Sequence, residues 1–472
     1  MLWRSLGHVA PVSASLPDGG HVELIYPHRQ EIRTWPSFEL LDTAPAERAG
    51  PSSSESPESK SAVGAPAEGD LAAGMAAMLG GSVSAVSAGP SGRVAALWTA
   101  EPFPPWYHVV SFSSSGHVMT PETVRISGAP CWSQTGELAA GAFDGIRRGI
   151  VLIDPGDGAA RWWSRPASAS YRLLALGPGG GDALAIRADD AGSARLVRAR
   201  PGGADEPLQL LRAADQARVQ VVTWTHEGVA LEGLLALPRA AGPHPAAGPH
   251  PLLVFLHGGP VGALACGEHP DLSAWAASGW AVFMPDFRSS GIGGREEMRR
   301  AFRRRGLPGQ DPEIGDVLSG VDLLTTQGLA DPGALILFGH SYGGYLAGRI
   351  VGRDHRFRVA VCCEAVADLR LLDPESQRMQ AGWLGGDAGR VPQRWDAASP
   401  VARAGAVRTP VLLLYAGSGT LAGQGQAWHR ALTAARVPAE LIMVPGADHV
   451  FSSVPAQQCL YRAVTGWSER HR

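Results

Sequence analysis

The feature that most limits the fold is an alternation of short apolar runs with helix-compatible segments in the second half of the chain. The apolar runs lie at 231–237, 252–256, 281–284, 334–338, 359–363, 411–415 and 441–444. One segment between them, 314–326, carries Val317, Val321 and Leu324 at helical spacing. Near-continuous apolar strands separated by helices are typical of parallel sheets with both faces covered. Residues 215–472 are therefore predicted to form a mostly parallel, doubly wound α/β sheet.

A glycine-flanked serine follows the fourth of these runs. The sequence Gly339-His340-Ser341-Tyr342-Gly343-Gly344 comes directly after 334–338 and precedes the helix-compatible stretch 345–351. A strand, a tight turn and a helix in this order form a nucleophile elbow, in which a strained turn presents the serine and glycines let strand and helix approach. Ser341 is the predicted nucleophile, with a plain turn between strand and helix as the alternative.

Two other strand ends carry residues that suit this chemistry. His449 follows the last apolar run, and a base downstream of the serine is the chain order of hydrolases. The one lysine, Lys60, lies in a low-complexity stretch, so a Ser-Lys dyad is excluded and the base must be a histidine. Gly259 lies in the turn His257-Gly258-Gly259-Pro260 after 252–256, and its N–H is predicted to hold an oxyanion together with the N–H of Tyr342. A tight turn without a catalytic role is the alternative for this motif.

The first half of the chain contains short strands and turns without a helical period. Three segments, 89–97, 133–141 and 179–186, each have a polar, glycine-containing turn that enters a small-apolar strand. Their equivalent positions lie 44 and 46 residues apart, which is the repeat length of a propeller blade. Residues 1–214 are therefore predicted to form a small or degenerate all-β propeller, with a β-sandwich as the alternative. A weaker repeat lies at 18–25, and the Ala-, Ser-, Pro- and Glu-rich segment 44–80 is predicted to be a flexible insertion.

Composition and charge limit the possible partners. A net charge of -3 over 472 residues argues against nucleic acid, and the Arg-rich run 295–305 contains two glutamates, as expected of a solvated helix face. No stretch reaches membrane-spanning length, and the first eight residues lack the apolar core of a signal peptide. The five scattered cysteines, adjacent at 362 and 363, indicate buried thiols in a reducing compartment and no metal site. A soluble, cytoplasmic protein without cofactor, metal or membrane partner is expected, and its oligomeric state is left open.

The ordered motifs of the second half resemble the α/β-hydrolase domain of the prolyl oligopeptidase family of serine peptidases, and within it the acylaminoacyl-peptidase-like branch. The resemblance covers about residues 220–472 and rests on Glu232-Gly233-Leu234, His257-Gly258-Gly259-Pro260, Asp286-Phe287-Arg288-Ser289-Ser290-Gly291, Gly320-Val321-Asp322-Leu323-Leu324, Ala330-Asp331-Pro332, Gly339-His340-Ser341-Tyr342-Gly343-Gly344-Tyr345 and Arg408-Thr409-Pro410. It implies an α/β hydrolase whose active site is covered by a propeller that admits small or unfolded peptides.

The chain departs from this family at the acid of the triad. The resemblance implies an aspartate on the loop after 411–415, but no Asp or Glu occurs between Asp396 and Glu440. The acid is predicted to have moved to the end of the preceding strand, as Glu364 first and Asp368 second. Alternatively, the site is a Ser-His dyad, or it is inactive. A structural role for Glu364, as a helix cap or an arginine partner, is equally consistent with the sequence.

Three functions remain. The first is a serine hydrolase that acts on a short peptide or small amide through an acyl-enzyme on Ser341, with His449 as the base. The second is an acyltransferase or an amide- or ester-processing enzyme of a small-molecule pathway, because a base without its acid would activate water poorly. The third is a catalytically silent binding protein.

Overall fold

The computed structural model describes residues 12–15, 21–24, 75–76, 78–100, 105–113, 116–189, 193–202, 205–212, 218–238, 248–259, 264–266 and 270–471. Most of the predicted insertion at 44–80 lies outside these residues. The weaker repeat at 18–25 is described only at 21–24, which is a strand.

Short strands dominate the described part of the first half. They are β1 (Val12–Ser15), β2 (His21–Leu24), β3 (Ser82–Ala88), β4 (Val94–Thr99), β5 (His108–Ser113), β6 (Gly116–Met119), β7 (Arg125–Ile126), β8 (Cys131–Trp132), β9 (Leu138–Asp144), β10 (Arg147–Ile153), β11 (Ala160–Ser164), β12 (Ala169–Leu176), β13 (Ala183–Asp189), β14 (Ala194–Ala199) and β15 (Glu206–Arg212). Antiparallel pairing forms three separate sheets: the first contains strands β3 through β6, the second β7 through β11 and the third β12 through β15. A further pair is formed by β1 and β2.

The three sequence repeats lead into equivalent strands. β4, β9 and β13 each follow one of the predicted turns, and each is the second strand from an edge of its sheet. In β9, Leu138 and Ala140 contact the core shared with the first sheet, while Ala139 between them contacts the core shared with the third. Successive strand residues point to opposite faces, so the middle sheet lies between its two neighbours. Stacked antiparallel sheets of four or five strands of this kind are the blades of a propeller, and the sandwich alternative is wrong.

The second half forms one eight-stranded sheet in the order β16-β17-β19-β18-β20-β21-β22-β23, and the strands from β18 onward are parallel. The strands are β16 (Arg218–His226), β17 (Val229–Leu237), β18 (His250–Leu256), β19 (Ala281–Pro285), β20 (Ala330–His340), β21 (Val359–Cys363), β22 (Val411–Ala416) and β23 (Ala439–Val444). The helices are α1 (Pro270–Ala276), α2 (Arg295–Arg304), α3 (Pro312–Thr326), α4 (Tyr342–Val351), α5 (Pro374–Leu384), α6 (Pro392–Ala398), α7 (Ala422–Ala434) and α8 (Val454–Arg470).

Both faces of this sheet are buried, as the apolar runs predicted. Leu252 and Val254 of β18 belong to a core that includes residues of α3, α4 and α7, while Leu253 belongs to a core with residues of α1 and α8. Continuous apolar strands are required because each face contacts a layer of helices. The predicted α/β fold is confirmed.

The two halves touch along α2 and the turn between β9 and β10. Ile146 N–H donates to Glu232 Oε2 at 2.8 Å, and Ile146 O accepts from Cys266 N–H at 2.8 Å. Trp106, just before β5, packs against Met298 and Phe302 of α2. The end of the first sheet at which β5 begins therefore lies against the helix that carries most of the Arg-rich run.

The prediction that this Arg-rich run is a solvated face is wrong in two places. Arg295 forms an ion pair with Glu122 of the first half, and Arg305 is 1% exposed. Arg305 is buried because Glu313, an opposite charge, lies 3.7 Å from its Nε.

Among the helices of the described residues, none combines the length and apolarity that crossing a membrane requires.

Candidate active site

The serine lies on a strained turn between β20 and α4. Ser341 has φ 54° and ψ -117°, a backbone conformation that residues other than glycine rarely adopt outside functional turns. A Cβ on Gly339 would lie 2.1 Å from Gly343 O, and a Cβ on Gly343 would lie 2.1 Å from Leu256 O. Since both distances are far below van der Waals contact, only glycine fits at either position. The backbone thus has the form of a nucleophile elbow.

Three side chains form a continuous hydrogen-bonded chain at this turn. Ser341 Oγ lies 3.0 Å from His449 Nε2, and His449 Nδ1 lies 2.9 Å from Glu364 Oε2. A carboxylate only accepts hydrogen bonds, so Nδ1 carries the proton and Nε2 is left to accept from the serine hydroxyl. The imidazole is one-third exposed, whereas the Glu364 side chain is 2% exposed. The arrangement can transfer a proton from Ser341 to His449 while a buried charge stabilises the imidazolium.

Backbone bonds between neighbouring strand ends align the serine with the acid. Ser341 N–H donates to Cys363 O at 2.8 Å, and Glu364 follows Cys363 at the end of β21. Glu364 N–H donates to Leu414 O at 2.8 Å, and its Oε1 accepts from Ala416 N–H at 2.5 Å. Ala416 is the last residue of β22, directly before the loop in which the resemblance implies the triad aspartate. The end of β22 therefore orients the carboxylate of Glu364 through a backbone N–H.

Two other acids of this region, Asp368 and Asp448, have different partners. Asp368 Oδ1 accepts from Arg370 N–H at 2.9 Å and caps a short 3₁₀ turn. Asp448 Oδ1 accepts from Ser452 N–H at 2.7 Å. The structure brings Glu364 to His449, while Asp368 acts as a local cap.

The two predicted oxyanion donors lie on turns beside the serine. Tyr342 is the first residue of α4, where N–H groups have no partner within the helix. Gly259, with φ 64°, follows Gly258 at the end of β18. A Cβ on Gly258 would lie 3.2 Å from Ser341 Cβ, so this turn runs directly past the nucleophile. Both backbone segments can therefore contribute to an oxyanion hole.

Comparison with known proteins gives this part of the chain a family. Residues 269–472 match the model of the prolyl oligopeptidase family. This segment is a prolyl oligopeptidase family domain. It includes Ser341, Glu364 and His449 as well as five of the parallel strands.

Curated relatives of the chain are acylamino-acid-releasing enzymes. The enzyme of Sus scrofa is 24% identical over 260 residues, which are 52% of this chain and 34% of that protein. The enzyme of Arabidopsis thaliana is 25% identical over 215 residues, which are 42% of this chain and 27% of that protein. The match thus spans about a third of the length of these relatives.

Solved structures share the fold of both halves. A Mycobacterium tuberculosis puromycin-hydrolyzing peptidase has a TM-score of 0.64 at 20% identity, covering 80% of this chain and 60% of that one. An acylaminoacyl peptidase of Pyrococcus horikoshii has a TM-score of 0.66 at 15% identity, covering 82% and 63%. At these identities the likeness supports the fold, an N-terminal propeller followed by an α/β-hydrolase domain.

Two histidines that sequence reasoning did not assign support the turns around the serine. His340 Nε2 donates to the backbone carbonyl of His449 at 2.6 Å and so ties the elbow to the loop of the proposed base. The His257 ring stacks on Phe287 with centroids 4.4 Å apart, and its Nε2 lies 3.2 Å from Asp286 Oδ1. Only the position of each histidine inside a functional motif hinted at these roles.

A buried charged cluster behind Tyr342 was also missed. Tyr342 O–H donates to Glu313 Oε1 at 2.5 Å, and Arg305 donates to the same phenol oxygen. Arg349 Nη1 donates to Glu313 Oε2 at 2.9 Å. Burial alone would raise the pKa of the Glu313 carboxyl, but Arg305 and Arg349 outweigh it and lower the pKa to about 2. Glu313 is therefore ionised at neutral pH.

The cysteines lie apart from these groups. Cys362 and Cys363 are free and fully buried in β21, as predicted, and burial raises the pKa of both thiols. Among the residues with defined positions, no group of three or more His, Cys, Asp or Glu side chains is arranged to hold a metal ion.

Proposed function

We propose that this protein is a serine hydrolase of the prolyl oligopeptidase type that cleaves short peptides or small amides through an acyl-enzyme on Ser341. The observation that carries the proposal is the unbroken chain from Ser341 Oγ through His449 to Glu364, with links of 3.0 and 2.9 Å. Relatives named for releasing acylamino acids and for hydrolysing puromycin support a small amide or peptide as the substrate.

In the acylation step, Ser341 Oγ attacks the carbonyl carbon of the substrate. Its proton moves to His449 Nε2 as the new C–O bond forms, and the carbonyl oxygen becomes an oxyanion held by the N–H groups of Tyr342 and Gly259. The scissile C–N bond then breaks, and the leaving amine takes the proton from His449. The acyl group remains as an ester on the serine.

Deacylation repeats these events with water. A water molecule gives its proton to His449 Nε2 and attacks the ester carbon. The C–O bond to Ser341 breaks, the serine oxygen recovers a proton from His449, and the acid product leaves. Each turnover therefore consumes one water and restores the enzyme.

Glu364 takes the part of the triad acid in this mechanism. It keeps the proton on His449 Nδ1 and stabilises the imidazolium that forms in both steps. The prediction of acyl transfer rested on a base without an acid, and a carboxylate 2.9 Å from Nδ1 removes that reason. We therefore propose hydrolysis as the outcome.

A fluorophosphonate probe tests the proposal, since it reacts only with an activated serine. The wild type should be labelled and Ser341→Ala should not. Ser418→Ala, which changes an exposed serine in the loop after β22, should label like the wild type. If a folded wild-type protein is not labelled, the proposal fails and a silent binding protein becomes the better account.

A further inference from the structure

Tyr342 carries two roles on one residue. Its N–H is a proposed oxyanion donor, while its phenol is fully engaged in the interior. The hydroxyl donates to Glu313 Oε1 at 2.5 Å and accepts from Arg305. The ring also stacks on Phe287, with centroids 6.1 Å apart. The side chain is therefore fixed independently of any substrate.

Glu313 also contacts a second residue of α4, the helix that begins at Tyr342. Its other oxygen, Oε2, accepts from Arg349 Nη1 at 2.9 Å. Arg349 lies seven residues after Tyr342 on α4, which is two helical turns and hence the same face. Arg349 also donates to Asp311, next to the start of α3. One carboxylate thus holds both the first residue of α4 and a residue two turns along.

The protonation states favour a permanent contact. Glu313 is fully buried and ionised, and Ser289 donates a further hydrogen bond to it. Burial raises the pKa of the Tyr342 phenol well above its usual value, so the phenol stays a neutral donor. A neutral phenol facing a carboxylate forms a charge-assisted bond, which is shorter and stronger than a neutral one. This bond ties the first turn of α4 to α3, which carries Glu313.

We propose that Glu313 is a positioning residue for the oxyanion hole, which acts through the Tyr342 phenol to aim the Tyr342 N–H. The proposal rests on the hydrolase function above. A variant that breaks this contact should bind the transition state more weakly but bind the substrate almost as well as the wild type, because the oxyanion exists only after attack. Loss of an oxyanion donor lowers kcat by roughly 10²–10³, so a misaimed donor is expected to cost less, about tenfold.

The first test compares two tyrosines on the same helix. Tyr342→Phe removes the phenolic hydroxyl but keeps the ring and the backbone N–H. Tyr345→Phe removes another buried phenol of α4, which donates to Ala398 O at 2.8 Å and makes no hydrogen bond to Glu313. We expect Tyr342→Phe to lower kcat about tenfold with KM within about twofold, and Tyr345→Phe to leave both within about twofold of the wild type.

The Kd of a trifluoromethyl ketone substrate analogue distinguishes a misplaced oxyanion donor from a general structural defect. Ser341 adds to its carbonyl and creates an oxyanion in the same hole. The Kd of this adduct should rise by the same factor as kcat falls in Tyr342→Phe, while the Kd of the corresponding alcohol, which forms no oxyanion, stays unchanged. An unchanged ketone Kd, or equal losses in the two Phe variants, would overturn the proposal.

Glu313→Gln provides a second, independent variant. It keeps the shape of the side chain but removes the charge that faces the phenol, and we expect the same selective rise in the ketone Kd. If this variant does not fold, the tyrosine pair still decides the question. A wild type that neither hydrolyses nor takes the fluorophosphonate would count against the proposed function, whereas an active wild type with a silent Tyr342→Phe would count against the role of Glu313 alone.

Discussion

Glu364 Oε2 lies 2.9 Å from His449 Nδ1, at the end of the strand next to the one that carries Ser341. The resemblance implied an acid one strand further along the sheet. Here the last residue of that strand, Ala416, donates its N–H to Glu364 Oε1. The carboxylate that meets His449 thus lies one strand closer to Ser341 than the resemblance implied.

Removing the charge of Glu364 should therefore slow catalysis strongly. Glu364→Gln is expected to lower kcat by about 10²–10⁴, because an amide no longer stabilises the imidazolium and favours the wrong tautomer. Asp368→Asn serves as the control, since Asp368 caps a 3₁₀ turn, and it should stay within about twofold of the wild type. Steady-state kinetics on an amide substrate give the comparison. Equal activity of Glu364→Gln and the wild type would mean that the histidine works without this acid.

An acid returned to the loop after β22 should restore part of this loss. A Cβ on Gly419 would lie 3.7 Å from Glu364 Oε2, which places it near the position that the carboxylate now fills. We expect the double variant Glu364→Gln with Gly419→Asp to recover at least about tenfold in kcat over Glu364→Gln. The control is Gly419→Asn in the same background, which adds the bulk without the charge and should give no recovery.

The charge of Glu313 predicts how stability depends on pH. Its folded-state pKa of about 2 lies below the ordinary value of 4.5, so its ionised form favours the folded state. This contribution is complete above pH 4.5 and is lost as the pH falls toward 2. The difference in Tm between the wild type and Glu313→Gln should therefore shrink steadily across that window. A constant difference from neutral pH to pH 2 would contradict the assignment.

The elbow glycines should tolerate no side chain. Gly339→Ala would place a methyl group 2.1 Å from Gly343 O, so we expect a loss of at least about 3 kcal/mol in unfolding free energy, or failure to fold. Gly382→Ala in α5 is the matched control, because a Cβ there meets nothing within 4 Å. It should raise stability by up to about 1 kcal/mol. Urea unfolding measures both, and equal effects would contradict the packing at the elbow.

The parts of the fold and site that follow from local sequence were predictable. Apolar runs, a serine between glycines and a histidine after the last strand are properties of short segments and of chain order. The parallel sheet and the position of His449 in the chain followed from them. The blades were predictable because the repeat spacing recurs in the sequence.

The sequence limited the carboxylate that contacts His449 to the segment after β21, which contains Glu364 and Asp368, but did not decide between them. Which carboxylate meets His449 depends on the register between β20 and β21, where His340 pairs with Cys363. That register places Glu364 beside the elbow and turns Asp368 toward Arg370, and one sequence does not specify it. The charge cluster of Arg305, Glu313 and Arg349 was missed for a related reason. Each residue looks exposed on its own, and burial becomes favourable only when the opposite charges meet.

The most direct test of the central claim is to trap the acyl-enzyme. Wild-type protein is mixed with a p-nitrophenyl acyl ester, quenched in acid within the first turnover, and examined by intact mass and peptide mapping. We expect one added acyl group on the peptide that contains Ser341, and accumulation of the same adduct in Glu364→Gln, where deacylation is slowed. A folded, catalytically active protein that carries no adduct, or carries it on another residue, would contradict the proposed acyl-enzyme mechanism.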